Sequence, residues 1–221
     1  MSSRDNPLWL QLWRDRRLEF HQLKVNPLLV RFWAQSGQSP GSRVFIPLCG
    51  KSLDMIWLAE QGHEVIGIEL SPIAVEDFFR ENNLQPVKIK KGEFIEWKSG
   101  NISILCGDYF SLQKKDIGRI DIVYDRAALT ALPEDIREHY VSHLRSIISR
   151  KTSVFLLTIE DAEDDLTLKQ ALGIDSEIQT LYSKYFSIKL AHVESTFESD
   201  TDLPDQLQRR VEYKVYWFSV L

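Results

Sequence analysis

The sequence predicts an α/β fold: a doubly wound, mostly parallel sheet with a C-terminal antiparallel strand and N-terminal covering helices. Three observations carry this expectation. Arg43 to Leu70 reads as a β-α-β unit. Ile120–Tyr124 and Ser153–Ile159 are apolar runs on either side of an amphipathic helical stretch, as expected for parallel strands covered on both faces. Ile188–Phe197 and Arg210–Leu221 read as a closing strand pair.

Within the first unit, Val44 to Leu48 is the strand and Cys49-Gly50-Lys51 the turn. The Ser52 hydroxyl can accept from free amides of the next helix, whose apolar residues are Leu53, Ile56, Trp57 and Ala59. Gly62 stands where a left-handed residue ends that helix, and Glu64 to Leu70 is the second strand. A right-handed crossover is expected.

This unit carries the first functional expectation. Glu69 closes the second strand, nineteen positions after Gly50. That is close to the roughly 20 at which an acidic residue meets a nucleotide ribose in such units. A carboxylate there accepts from both ribose hydroxyls; the alternative is a solvated charge at a strand end. The loop lacks G-x-G-x-x-G, and Phe45 occupies the position where a P-loop needs its first glycine. The expected ligand is therefore a nucleoside without a diphosphate. S-adenosylmethionine fits, with a small amino-acid part and a positive sulfonium.

The remaining elements follow in order. Residues 1–6 are expected to fray. Pro7 to about Lys24 has a helical pattern, with Trp9, Leu12, Trp13 and Phe20 near one face. Asn26 caps and Pro27 opens a second short helix with Leu28, Leu29, Phe32 and Trp33, stopped at Ser36-Gly37. Pattern alone makes these tryptophans packing residues, although an indole over the ligand would attract a sulfonium. Ser71-Pro72 starts a helix carrying Val75, Phe78 and Phe79. Pro86–Lys90 is a weak strand, and Glu93–Leu105 reads as a hairpin turning at Ser99-Gly100-Asn101. Asp108 follows at a strand's carboxyl end, where it can accept from an adenine amino group or cap the Tyr109-Phe110 turn.

Asp125 and Arg126 directly follow the Ile120–Tyr124 run, which makes them site candidates; the alternative is a local ion pair locking the loop. Pro133 to Ser149 is an amphipathic helix. His139 and His143 are four apart there, but Tyr140 stands where a zinc protease needs glutamate, so no metal is expected. His63 and His192 read as surface or satisfied core residues. Glu160–Asp165, five acids in six positions, is expected to be an exposed loop, followed by a helix at about Asp175–Tyr185. In the last strand, Val211, Tyr213, Val215 and Trp217 alternate with Glu212, Lys214 and Tyr216, the pattern of a half-exposed antiparallel strand.

The 221 residues suit one domain: a helical cover (1–40), a cofactor-binding core (43–160), and an acceptor-side helix with C-terminal strands (161–221). A net charge of −5 gives a nucleic-acid partner no bulk electrostatic support. Cys49 and Cys106 read as buried free thiols of a reducing compartment. With neither a signal peptide nor an apolar span of membrane length, a cytoplasmic monomer is expected.

Several runs resemble the bacterial thiopurine S-methyltransferases. They are Trp13 followed by Phe20-His21, Val25-Asn26-Pro27-Leu28, Pro47-Leu48-Cys49-Gly50-Lys51-Ser52-Leu53-Asp54, Gly67-Ile68-Glu69-Leu70-Ser71 and Tyr124-Asp125-Arg126-Ala127-Ala128-Leu129. The resemblance implies the Rossmann-like methyltransferase fold. It also implies that Trp13, Leu48, Glu69 and Arg126 contact S-adenosylmethionine. After Ile159 the chain departs from the family: the acidic run and Leu166–Leu172 replace a glycine- and proline-rich apolar stretch beside the acceptor.

The expected reaction is methyl transfer to the sulfur of a small thiol or thiopurine by in-line displacement, leaving S-adenosylhomocysteine. The protein's part is then positioning and exclusion of water. Arg126 is the candidate for positioning the acceptor, and Asp15 and His21 are open candidates for a base. Three alternatives stand beside this reading: a same-fold methyltransferase for thiocyanate, other thiols, or selenium or tellurium species; a nicotinamide-dependent oxidoreductase; and a non-catalytic binding module.

Overall fold

The structure, a computed structural model, describes residues 6–17, 21–161, 175–199 and 208–221; of these, the side chains at 160, 161, 197–199, 208 and 209 are also left undescribed. Its sheet contains β1 (Arg43–Ile46), β2 (Glu64–Glu69), β3 (Val87–Lys91), β4 (Phe94–Ser99), β5 (Ile102–Cys106), β6 (Ile122–Arg126), β7 (Ser153–Asp161), β8 (Phe186–Ser199) and β9 (Gln208–Val220). They lie in the order β3-β4-β5-β2-β1-β6-β7-β9-β8. The block β5-β2-β1-β6-β7 is parallel, while the β3–β4 hairpin and the β9–β8 pair extend it antiparallel at the two edges.

Chain direction across the sheet reverses at β1. From β1 the chain moves to β2 on one side and later returns to β6 on the other. In open α/β sheets the crevice outside the strand ends at such a reversal holds the ligand.

The strand side chains alternate between two cores. Val44, Ile46, Val65 and Ile122 face one, together with Leu28 and Leu29 of α2 (Pro27–Phe32), Met55 and Leu58 of α3 (Asp54–Glu60), and Val75 and Phe78 of α4 (Pro72–Glu81). Phe45, Ile66, Ile68 and Val123 face the other. There they meet Ile117 at the end of α5 (Lys114–Ile117), Tyr140, Val141 and Leu144 of α6 (Glu134–Ile147), and Ile178 and Tyr182 of α7 (Ser176–Tyr182). Helices on both faces of a mostly parallel sheet make the doubly wound fold read from the sequence. Among the described residues no helix is long and apolar enough to cross a membrane.

Several local expectations are corrected. The first helix is shorter than its pattern: α1 spans Asn6–Arg14, and Arg16 turns the chain with φ +58°. Of residues 1–6, expected to fray, Asn6 instead opens α1, while residues 1–5 and Phe20 lie outside the described residues. Ser52 stands two residues before α3 and accepts from the Asp54 amide at 3.2 Å; the capping position itself is Leu53. Ser71 does cap α4, accepting from the Ala74 amide at 3.3 Å. The backbone of Glu160 and Asp161 belongs to β7 rather than to a loop, while Ala162–Asp165 and Leu166–Leu172 lie outside the described residues.

The last strand differs most. Glu212, Lys214 and Tyr216 are buried, so β9 is not half exposed. It lies inside the sheet between β7 and β8. Glu212 and Lys214, two residues apart on one face, pair at 3.3 Å, and Tyr216 joins the core under α7.

Candidate active site

The loop after β1 is built to approach a ligand closely. Leu48 and Gly50 adopt φ +46° and +54°, and the Cys49 amide donates to the Ile68 carbonyl at 2.9 Å, tying the loop to β2. A Cβ on Gly67 would meet Cys49 Sγ at 2.6 Å, so that glycine permits the approach. A Cβ on Gly50 would sit 3.4 Å from the Trp13 ring, which α1 lays over the loop.

Glu69 ends β2 and is 6% exposed. Its Oε2 accepts from the Gly50 amide at 2.9 Å, and its Oε1 from the Ser71 amide at 2.7 Å. The Leu70 amide also favours the carboxylate, and with about four acceptor positions an ionised Glu69 keeps room for a further donor. Burial raises its pKa to about 7, while the amides of Ser71 and Gly50 pull the other way.

Asp125 and Arg126 do not lock the loop as a pair with each other. Asp125 is fully buried and accepts from the Tyr140 hydroxyl at 2.6 Å and the Ala128 amide at 3.2 Å; burial lifts its pKa to about 6. Arg126 points back to the start of α3, donating from Nε to Asp54 Oδ2 at 2.9 Å and from Nη2 to Ser52 Oγ at 3.1 Å. Asp108 takes the capping role: Oδ1 accepts from the Phe110 amide at 2.9 Å, and Oδ2 accepts from Asn6 Nδ2 at 3.1 Å.

Trp13, Leu48, Glu69, Asp108 and Arg126 all line one cavity of about 310 Å³ at the sheet's reversal. Trp9, read from the pattern as packing, lines it too, with its indole N–H on the Ala131 carbonyl at 3.2 Å. Trp33 is the packing residue it was expected to be, buried with its indole N–H on His63 Nε2 at 2.9 Å. The two base candidates separate. Asp15 lies on the exposed surface against Gln11, whereas His21 lines the cavity. Burial, and then the Lys51 charge, lower the His21 pKa, so its ring is neutral at pH 7. His143 is engaged with the Tyr109 carbonyl at 3.1 Å, and His139 stacks on Phe110.

Sequence reasoning missed Asn6, Phe110 and Asp54. Asn6 and Phe110 sit beside Asp108, and the strand-end signal there pointed to their neighbourhood. Asp54 is 1% exposed, and nothing in its local pattern marked it.

Known proteins compare as follows. Residues 4–219 match the family described as Thiopurine S-methyltransferase (TPMT). A Thiopurine S-methyltransferase of Stutzerimonas stutzeri (strain A1501) is 60% identical over 216 residues, 98% of this chain and 91% of that one. One of Nitrosospira multiformis is 41% identical over 203 residues, 92% of this chain and 91% of that one. Among solved structures, a SAM-dependent methyltransferase of Anabaena variabilis aligns with a TM-score of 0.62 at 15% identity, covering 100% of this chain and 98% of that one. Magnesium protoporphyrin IX methyltransferase of Synechocystis, with SAM bound, aligns with a TM-score of 0.59 at 17% identity, covering 96% of each. At such identities the structural likeness concerns the fold.

Proposed function

The chain belongs to the thiopurine S-methyltransferase family, and from that premise we propose that it transfers the methyl group of S-adenosylmethionine to the sulfur of a small thiol or thiopurine. The observation that carries the donor half is Glu69. It is a buried carboxylate at the end of β2 that lines the cavity and keeps acceptor capacity beyond its backbone amides. A ribose hydroxyl is the donor that a strand-end carboxylate takes in such folds. The glycine at position 50, with Trp13 packed on it, supports a backbone that lies close to the ligand. The residues present therefore fit the cofactor.

When bound, S-adenosylmethionine supplies a methyl group made electrophilic by its positive sulfur. Trp13 offers an indole face to that charge. Arg126 has five N–H groups, of which Nε–H and one on Nη2 are engaged. The rest can hold the acceptor's sulfur or a ring nitrogen. His21, kept neutral by burial and nearby cations, accepts the proton of an acceptor S–H on a ring nitrogen, leaving the thiolate to attack. The α1 cover over the loop excludes water. All of these groups come from one chain, which supports action as a monomer, and free Cys49 and Cys106 support a reducing, cytoplasmic setting.

The comparisons do not favour the oxidoreductase, the binding module or the other acceptors. The test is transfer of labelled methyl to a panel of thiopurines, aromatic thiols, thiocyanate, selenite and tellurite. Turnover on thiopurines or thiols is expected. Turnover confined to the last three, or donor binding without turnover, would overturn the acceptor assignment.

A further inference from the structure

We propose that Asp54 is a positioning residue that sets the acceptor anchor Arg126 and ties it to the N-terminal cover. The proposal rests on the methyl-transfer reading and deepens it. Asp54 begins α3 and is 1% exposed. Its Oδ1 accepts from the Asn26 backbone amide at 2.8 Å. Its Oδ2 accepts from the Tyr124 hydroxyl and from Arg126 Nε, each at 2.9 Å.

Those three donors come from two separate parts of the chain, the start of α2 and the end of β6. Asn26 caps α2 with its own side chain, accepting from the Leu28 amide at 2.9 Å, so its backbone fixes where the cover meets the core. Tyr124 is fully buried in β6. Arg126 is two residues further along and lines the cavity. One carboxylate therefore sets the height of the cover and the aim of the guanidinium together. Ser52 completes the clamp, because its Oγ accepts from both the Asp54 amide and Arg126 Nη2. With Nε and Nη2 held, the guanidinium plane is fixed and its remaining N–H groups have one direction. An asparagine would turn a donor toward one of these donors and remove the charge opposite Arg126.

The test is a double-mutant cycle of Asp54→Asn and Arg126→Ala, read as kcat/KM for the acceptor, with S-adenosylhomocysteine affinity and melting temperature measured alongside. Asp54→Asn alone should lower kcat/KM about 10- to 100-fold, as expected for misplacing a positioning group by about 1 Å. In the Arg126→Ala background the same change should cost less than about two-fold, since the residue it acts through is gone. An equal loss in both backgrounds overturns the proposal. A second readout needs no turnover: hydrogen exchange at Arg126 Nε–H, followed by nitrogen-15 NMR. That proton should be protected in the wild type and exchange fast in Asp54→Asn; fast exchange in both also overturns the proposal. A wild type without methyl transfer would sink the reaction reading and leave this result standing. Should Asp54→Asn not fold, Asp54→Glu carries the same cycle.

Discussion

Cofactor binding should tighten as the solution becomes more alkaline, and Glu69 is the reason. Burial holds its carboxyl at a pKa of about 7, although three backbone amides already favour the ionised form. In the ligand-free protein this group stabilises the fold at low pH, and that contribution is lost as pH rises through about 7. Ligand binding runs the opposite way, because ribose hydroxyls donate to the carboxylate and select its ionised form. At pH 6 only about one molecule in ten is ionised, and apparent affinity falls by the competent fraction. S-adenosylhomocysteine should therefore bind about ten-fold more weakly at pH 6 than at pH 8, a difference of about 1.4 kcal/mol.

Calorimetry in two buffers of different ionisation enthalpy measures both the affinity and the proton released, which should approach one per site at pH 6. S-adenosylhomocysteine is the right probe because it has no sulfonium to interact with His21, Lys51 or Arg126 and it cannot turn over. Glu69→Gln should bind weakly at every pH, with a flat profile. It should also melt lower, by about 1–3 kcal/mol of stability, because its amide meets the Gly50 or Ser71 N–H donor to donor. Equal affinity at pH 6 and 8, or a pH slope that persists in Glu69→Gln, would refute the assignment of Glu69 to the ribose.

Four further outcomes are expected. Arg126→Lys keeps the charge but cannot reach Asp54 and Ser52 at once, so kcat/KM should fall about 10- to 100-fold with a small change in melting temperature. Stability loss without kinetic loss would make Arg126 structural. Tyr140→Phe removes the 2.6 Å donor to buried Asp125 and should cost about 1.5–3 kcal/mol in denaturant titrations at pH 8. The cost should shrink at pH 5, where Asp125, with its pKa near 6, is already protonated. Gly67→Ala drives a methyl group against Cys49 Sγ, with a cost of about 1–3 kcal/mol and weaker S-adenosylhomocysteine binding, measurable by thermal shift with and without ligand. His21→Gln should slow turnover most for weakly acidic thiols and least for thiols already ionised, and a uniform loss across a thiol series would remove its role as base.

What the sequence made legible is what short-range patterns encode. The apolar run, tight turn, helix and glycine stop of Arg43–Leu70 are all local, and they placed Glu69 at a strand end facing the cavity. Trp9 was misread because a helical stripe looks the same whether it faces a core or a cavity. The end of α1 was misread because Arg14-Asp15-Arg16-Arg17 carries no turn chemistry, yet Arg16 leaves the helix and pairs with buried Asp77. The polar positions of β9 suggested water on one face, but Glu212 and Lys214 satisfy each other between two neighbouring strands.

Asp54 and Arg126 are the instructive case, for they are 72 positions apart and no pattern window joins them. The predicted fold class nevertheless contained the link. In a doubly wound sheet the strand that starts the second half pairs with the first strand, as β6 does with β1 through Val44 and Ile122. Their carboxyl ends then lie side by side. A cation just past β6 must meet whatever follows the loop after β1, and there the sequence offers an acid at the first position of α3. Reading charges by strand order, rather than by neighbours in the chain, would have paired Arg126 with Asp54 instead of Asp125.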